Sequence, residues 1–522
     1  MDTMKSDGRE RFIKSVRLAV IVLMIGGCAI LPWSTNQNVE SEEEQLAVGH
    51  GDIPTSDNLC KLFASQSRSA EDLLKFKVNR HTPARHLIEE DINDGVFVGI
   101  ALSGGGSRAA NFSAAVLLEL QDLGLFPAHV TTLSSVSGGS LTSAYYKLFS
   151  GRPIYWNEKI IRKRFITDLE WPWIRRMIAP HHFIRTLFTD YSRSDVMAGV
   201  LDDYLFSTSQ DSMLFASLKR FDQLVSEGPK LYINASVRGA GCKIFPFLDE
   251  TFHAMGSRLD TYPLAYSVMA SGAFPGAFND ITIRDYYFEN QKNKASYLHL
   301  YDGGPTDNLG ITTLLKEAEN LKELNPNAIK ACFLFVIDAH IHGEPTDSLR
   351  LSERTTRKVI NFVIDRNALD AGDVLLARAR WATLREVFSN NNSWESPIST
   401  AKIGGDPKRP QTQLECTIWH IHFNRLNNPS MTGQNIHRLR KDGEEQGKRA
   451  VHNYEKLADL LNRVETRYAL TVSTGDESAH EIQDALFRAA KILVWQDKSS
   501  LSEACSWFKK QQIDLKGCVV SP

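Results

Sequence analysis

Two strand–turn–helix units follow one another between Gly95 and Phe149, and no other feature of the sequence restricts the fold as much. The first runs as "GVFVGIALS" from Gly95 to Ser103, turns through "GGGSR" and continues as "AANFSAAVLLELQD" to a stop at Gly124. The second, "VTTLSSVSGGSLTSAYYKLF" from Val130 to Phe149, repeats the plan around Ser137. In each, a short apolar run reads as a buried strand, glycine supplies the turn, and apolar residues then recur at helical spacing. Such units in series predict an α/β fold, a mostly parallel sheet covered by helices. Further strands are expected at "KLYINASVRG", at "SYLHLYDGG" (296–304) and at "ACFLFVIDAH" (331–340). Residues 151–225 read as a helical, aromatic-rich insertion between sheet elements. Beyond about residue 350 the pattern is mainly helical, with one strand-like stretch, "LECTIWHIHF".

Three glycine turns stand at strand ends: "SGGGSR" (103–108), "SVSGG" (135–139) and "DGG" (302–304). The second resembles a G-x-S-x-G nucleophile elbow in which Ser135 replaces the first glycine. A serine hydroxyl attacks well only when a base takes its proton, and a strand-to-helix turn exposes that hydroxyl. Gly138 and Gly139 keep the crowded turn small. Gly104, Gly105 and Gly106 present backbone N–H groups to a developing oxyanion, a contribution of about 3 kcal/mol per donor. Asp302 supplies a carboxylate, although an ordinary aspartate is about three units too acidic to be a good base at neutral pH.

The ordered set G-G-G-x-R, an elbow roughly thirty residues later and a downstream D-G-G resembles the patatin-like phospholipase family. "YSVMASGAFPGAF" (266–278) and "YDGGPTDNLGI" (301–311) resemble its small-residue helix and its aspartate loop. The resemblance implies a three-layer α/β fold related to the α/β-hydrolases, with helices on both faces of the sheet, and a cofactor-free Ser–Asp dyad. By that resemblance Ser137 is the nucleophile, Asp302 the proton acceptor, and Gly104, Gly105 and Gly106 the oxyanion hole. Arg108 braces that turn, and Ser135, Gly138, Gly139, Gly303 and Gly304 support the two reacting groups. The implied activity is hydrolysis of lipid esters of the phospholipase A or lysophospholipase type, on a membrane phospholipid or other lipid ester.

Other patterns carry rival chemistry. "GGGSRA" also fits a dinucleotide-binding loop, but the next strand ends in "SSVSGGS" rather than in the acidic residue a ribose requires. "FVIDAHIHG" (335–343) places Asp338, His340 and His342 as in a metal-dependent hydrolase, and that is the alternative activity. A catalytically inactive lipid-binding protein of the same fold is the other alternative. His420 and His422 read as structural, and His181–His182 as a polar pair at a helix start. Asp307 and Asn308 are expected to shape the aspartate loop. In the insertion, Trp171, Trp173, Phe165, Ile174 and Phe183 mix with Arg162, Lys163, Arg164, Arg175 and Arg176, which suits either a lipid-facing lid or core helices with a wet basic face.

Sixty basic residues balance 62 acidic ones with no basic stripe, which excludes nucleic acid as a partner. At the N-terminus, Lys5, Arg9, Arg11, Lys14 and Arg17 precede the apolar run Leu18–Ile25 and then Gly26-Gly27-Cys28. That order resembles a bacterial lipoprotein signal with Cys28 lipidated; the alternative is a single-pass anchor, for which Leu18–Trp33 is short of the roughly 20 residues needed. Both expectations tether the protein to a membrane of the cell envelope through its N-terminus. The expected organisation is a signal or anchor (1–33), a tether (34–58), a catalytic domain (59–345, core 95–340) and a mainly helical extension (346–522). Cys505 and Cys518 suit a disulfide in an oxidising compartment, while Cys332 reads as a small core hydrophobe.

Overall fold

The computed structural model describes Asn36 and residues 82–518, apart from 190, 208–217, 239–243, 288–294, 341–365, 389–397, 404–412, 428–453, 455 and 473–474. The signal or anchor, with Cys28, and His342 lie outside the described residues, as does the tether but for Asn36. No described helix is long and apolar enough to cross a membrane.

Among the described residues nine strands form one sheet: β1 Val96–Leu102, β2 Thr132–Val136, β3 Lys230–Val237, β4 Ile244–Pro246, β5 Ile281–Arg284, β6 Tyr297–Tyr301, β7 Ala331–Asp338, β8 Ile398–Ile403 and β9 Leu414–His422. Their order is β5-β6-β3-β2-β1-β7-β9-β8, with β4 paired to β3. The central run β3-β2-β1-β7-β9 is parallel, and the outer pairings are antiparallel. Interior parallel strands are covered on both faces, and accordingly every residue of β1 and β2 is buried.

The main described helices are α1 Gly106–Asp122, α2 Gly138–Phe149, α3 Glu158–Phe165, α4 Glu170–Met177, α5 Pro180–Phe188, α6 Arg193–Leu201, α7 Asp249–Ala254, α8 Leu264–Ser271, α9 Gly304–Asp307, α10 Ile311–Leu324, α11 Arg366–Val387, α12 Ala479–Trp495 and α13 Lys498–Lys510. One core holds Phe112, Leu141 and Leu486 from α1, α2 and α12; the other holds Ile311 and Leu314 from α10 against Phe97 and Leu334 of the sheet. Helices therefore cover both faces, in the three layers expected. The insertion expected at 151–225 is helical from α3 to α6.

Two expectations need correction. The sheet does not stop near residue 345, because β8 and β9 extend it and α12 packs on α1, with Gln483 Nε2 donating to Asn111 Oδ1 at 2.8 Å. The C-terminal part is thus built into the same body, and it brings two strands rather than one. Cys332 is buried as expected, but it is not a free thiol. The parallel register of β7 and β9 sets it opposite Cys416, Cα–Cα 4.5 Å, and the two form a disulfide. Cys505 and Cys518 form the second.

Register also assembles the site. Leu102 lies opposite both Ser135 of β2 and Ile337 of β7, so β1, β2 and β7 end together. The turns that follow β1 and β2 are therefore neighbours at the carboxyl edge of the sheet, where open α/β folds bind ligands.

Candidate active site

Ser137 sits between β2 and α2 at φ 50° and ψ −120°, a backbone conformation rare outside glycine and costing on the order of 1–3 kcal/mol. Its surroundings hold it there. The Ser137 N–H donates to Ser271 Oγ at 2.8 Å, and Ser271 Oγ donates to the Asn234 carbonyl at 2.6 Å. Behind it, a methyl group on Gly139 would fall 2.6 Å from the Leu102 carbonyl, so α2 starts hard against the end of β1.

Asp302 follows β6, and the end of α8 fixes its loop: Asp302 N–H donates to the Ala273 carbonyl and Gly303 N–H to the Ser271 carbonyl, each at 3.1 Å. Ser271 thus grips the serine turn by its side chain and the aspartate loop by its backbone. The outcome is a hydrogen bond from Ser137 Oγ to Asp302 Oδ2 of 2.9 Å. Asp302 Oδ1 accepts from Gly304 N–H at 2.7 Å. The carboxyl is only 3% exposed, and burial pushes its pKa up to about 6 against the pull of those two hydrogen bonds. Burial thereby removes most of the acidity that would make an ordinary aspartate a poor base near neutral pH.

Ser135, in place of the elbow's first glycine, is accommodated. Its Oγ donates to the Tyr232 carbonyl at 3.2 Å and accepts from Ser143 Oγ at 2.7 Å and Ser140 Oγ at 3.2 Å. Ser140 Oγ lies 3.0 Å from Ser271 Oγ, so the serines join one hydrogen-bonded network beneath the turn.

The glycine turn divides its labour. Gly104 N–H donates to the Asn308 carbonyl at 2.9 Å and ties the turn to the aspartate loop, so this amide is already engaged. Gly105 and Gly106 take φ 136° and 56°, and their N–H groups have no acceptor among the described residues. A methyl on Gly138 would fall 2.1 Å from the Gly106 carbonyl oxygen, which places the two turns in direct contact. Arg108 lies against Gly105 and donates from Nη1 to the Val464 carbonyl at 2.6 Å. Gly303 approaches the Asn234 carbonyl too closely for a side chain, and a side chain at Gly304 would have to displace the end of Leu376. Asp307 shapes its loop by accepting from the amides of Leu309, Gly310 and Thr312.

Several contributors carry no motif. Ser271 lies inside a stretch that resembles the family, yet nothing in its spelling marks it as the clamp on Ser137. Residues 464–468 are further away in sequence. Ser107 N–H donates to the Arg467 carbonyl at 2.6 Å, and Tyr468 Oη donates to the Gly272 carbonyl at 3.0 Å. Burial and the Asp302 charge both raise the Tyr468 phenol.

The rival motif is occupied otherwise. Asp338 is fully buried, accepts from Arg380 Nε at 2.7 Å and His420 Nε2 at 2.9 Å, and is held well below the usual carboxylate range by them. Among the described residues no group of three or more His, Cys, Asp or Glu is arranged to hold a metal. Asp338 instead anchors α11 through Arg380, and Leu376 of that helix packs on Gly304.

No curated protein sequence matches the chain. Among solved structures, human GIVD cytosolic phospholipase A2 is similar at 13% identity and a TM-score of 0.44, over 92% of this chain and 67% of that one. The same human protein in complex with methyl gamma-linolenyl fluorophosphonate is similar at 14% identity and a TM-score of 0.41, over 92% and 66%. The chain thus spans about two thirds of the length of these proteins. Residues 100–315, which carry all three glycine turns, match the model of the Patatin family, the patatin-like phospholipases.

Proposed function

We propose that this protein is a serine acyl hydrolase acting on lipid esters, of the phospholipase A or lysophospholipase type. The observation that carries the reading is the 2.9 Å hydrogen bond from Ser137 Oγ, on a strained turn, to a buried Asp302. Asp302 Oδ2 accepts the hydroxyl proton as Ser137 Oγ attacks the ester carbonyl carbon. The carbonyl oxygen becomes an oxyanion facing the Gly105 and Gly106 amides. The intermediate collapses, the alcohol leaves with the proton held by Asp302, and an acyl ester remains on Ser137. Water then attacks that ester as Asp302 accepts its proton; the bond from carbon to Ser137 Oγ breaks, Asp302 passes the proton to Oγ, and the fatty acid leaves with Ser137 and Asp302 restored. Ser271 positions the reacting groups without entering the chemistry. The match of residues 100–315 to the patatin-like phospholipases supports a lipid substrate. Attachment to a membrane of the cell envelope through the N-terminus belongs to the same proposal, and the two disulfides support a body outside the reducing cytoplasm.

The test is covalent labelling by an alkyl fluorophosphonate, with hydrolysis of a lipid panel measured in parallel. Wild type is expected to be labelled at Ser137 and to release fatty acid, and Ser137→Ala to lose both. Labelling that survives in Ser137→Ala would remove Ser137 as the nucleophile. A folded wild type that neither labels nor hydrolyses would favour the lipid-binding alternative.

A further inference from the structure

The insertion between β2 and β3 leaves large apolar side chains in the open. Trp171, Ile178 and Phe183 are 60%, 72% and 55% exposed, and Ile184 and Phe188 are exposed as well. Trp171 and Arg175 of α4 and Ile178 at its C-cap follow at i, i+4 and i+7 along one side, while Trp173 turns inward against Phe278. α5 has nine residues and no buried side chain among those described. A helix that short depends on packing its apolar face, because its own hydrogen bonds barely repay nucleation. On α5 the described apolar side chains, Phe183, Ile184 and Phe188, are exposed.

The same stretch is basic. From Trp171 to Phe188 there are three arginines, two histidines and no acidic residue, in a chain of net charge −2. Arg175, Arg176, His181, His182 and Tyr204 line an open cleft of about 460 Å³, away from Ser137. Asp203 pairs with Arg176 at its rim. A cleft of arginines bordered by exposed tryptophan, isoleucine and phenylalanine matches a phosphate layer lying above hydrocarbon.

We propose that α4 and α5 form the face with which the protein docks on an anionic phospholipid bilayer. Lipid phosphates enter the cleft, and Trp171, Ile178 and Phe183 sink into the boundary beneath them. A protein partner would have to meet these cations with acidic groups and cover the apolar residues with a matching groove; a bilayer offers both over any area. The face adjoins the site through packed rings: Trp173 lies tilted 5.0 Å from Phe278, Phe278 meets Tyr468 edge-on at 5.5 Å, and Tyr468 bonds the Gly272 carbonyl beside Ser271. Docking does not require turnover and stands apart from the catalytic reading.

The test is hydrogen–deuterium exchange on the full chain, with vesicles of mixed phosphatidylglycerol and phosphatidylcholine. Exchange within 171–188 is expected to be fast without vesicles and slowed with them, and the slowing is expected to vanish in Phe183→Ser/Ile184→Ser. The readout is local, so attachment through the N-terminus affects both proteins alike. On the activity side, the double variant is expected to hydrolyse vesicle lipid at least about tenfold more slowly and a soluble short-chain ester within about twofold of wild type. Both side chains are exposed, so an unchanged melting temperature serves as the folding control. Slow exchange of 171–188 without vesicles would mean that another part of the chain covers the face, and would overturn the proposal. So would vesicles that leave exchange there unchanged, or protection that the double variant keeps.

Discussion

The two turns that build the site solve opposite problems. After β1 the proposed mechanism calls for backbone amides, and Gly105 and Gly106 adopt positive φ with no side chain to obstruct them. After β2 it calls for a hydroxyl, and there a serine takes φ 50°, for which its surroundings must compensate. Ser271 binds its amide, and Gly138 and Gly139 let α2 begin in contact with the first turn and β1. Within these two turns, strain is thus confined to Ser137, the proposed nucleophile. The glycine turn costs little locally but relies on distant chain, from Asn308 to Arg467, to hold its shape.

The contact between the turns is the sharpest place to break this arrangement. Gly138→Ala puts a methyl where only 2.1 Å separates it from the Gly106 carbonyl oxygen, and backbone cannot step aside as a flexible side chain can. The turns must part, and either Ser137 or the oxyanion amides move. We expect kcat/KM on a soluble ester to fall by at least about a hundredfold, the scale of losing one oxyanion donor. Steady-state kinetics at a temperature where melting shows the variant folded checks it, and a loss of under tenfold would mean that the turns move independently.

Asp302 sharpens the comparison from the base's side. Its pKa near 6 predicts that kcat/KM rises with pH through about 6 as the carboxylate forms, and falls about tenfold per unit below that. The effect on stability has the opposite sign. The folded protein holds this proton more tightly than the unfolded chain, so Asp302's contribution is fully present below 3.8 and is lost as pH rises through about 6. By neutral pH the loss is on the order of 3 kcal/mol. Asp302→Asn is therefore expected to abolish turnover, to melt higher than wild type at pH 7.5, and to show no such advantage at pH 4. A variant that melts lower at both pH values would show that the ionised carboxylate stabilises the fold.

Much of this was legible in the sequence because it is local. Strand, turn and helix at 95–124 and 130–149 each carry their signal within a few residues, and parallel packing of apolar strands then makes the turns neighbours. β8 was not legible, because "ISTAKI" is short and half polar and becomes a strand only by pairing with β9. The Cys332–Cys416 disulfide follows from a register that separate strands do not announce. Arg108 stands in a legible motif, but its partner Val464, 356 residues away, could not be seen. The exposure of α4 and α5 was equally hidden, since aromatic residues beside arginines spell a core helix and a lipid-facing one alike.

Ser135 gives the smallest predicted effect and tests whether the elbow's missing glycine matters. Its hydroxyl reaches neither Ser137 Oγ nor Asp302; it bonds the Tyr232 carbonyl and receives Ser140 and Ser143. In Ser135→Gly the Ser143 hydroxyl keeps the Ser140 carbonyl at 3.3 Å and Ser140 keeps Ser271 at 3.0 Å, so the clamp on Ser137 survives. The Tyr232 carbonyl loses its side-chain donor, and glycine adds backbone entropy to the unfolded chain. We expect a loss of about 1–2 kcal/mol in denaturant unfolding and a kcat/KM within about threefold of wild type. A gain of more than about tenfold in kcat/KM would show instead that the hydroxymethyl crowds the turn and restrains the enzyme, the steric cost that a glycine at this position avoids.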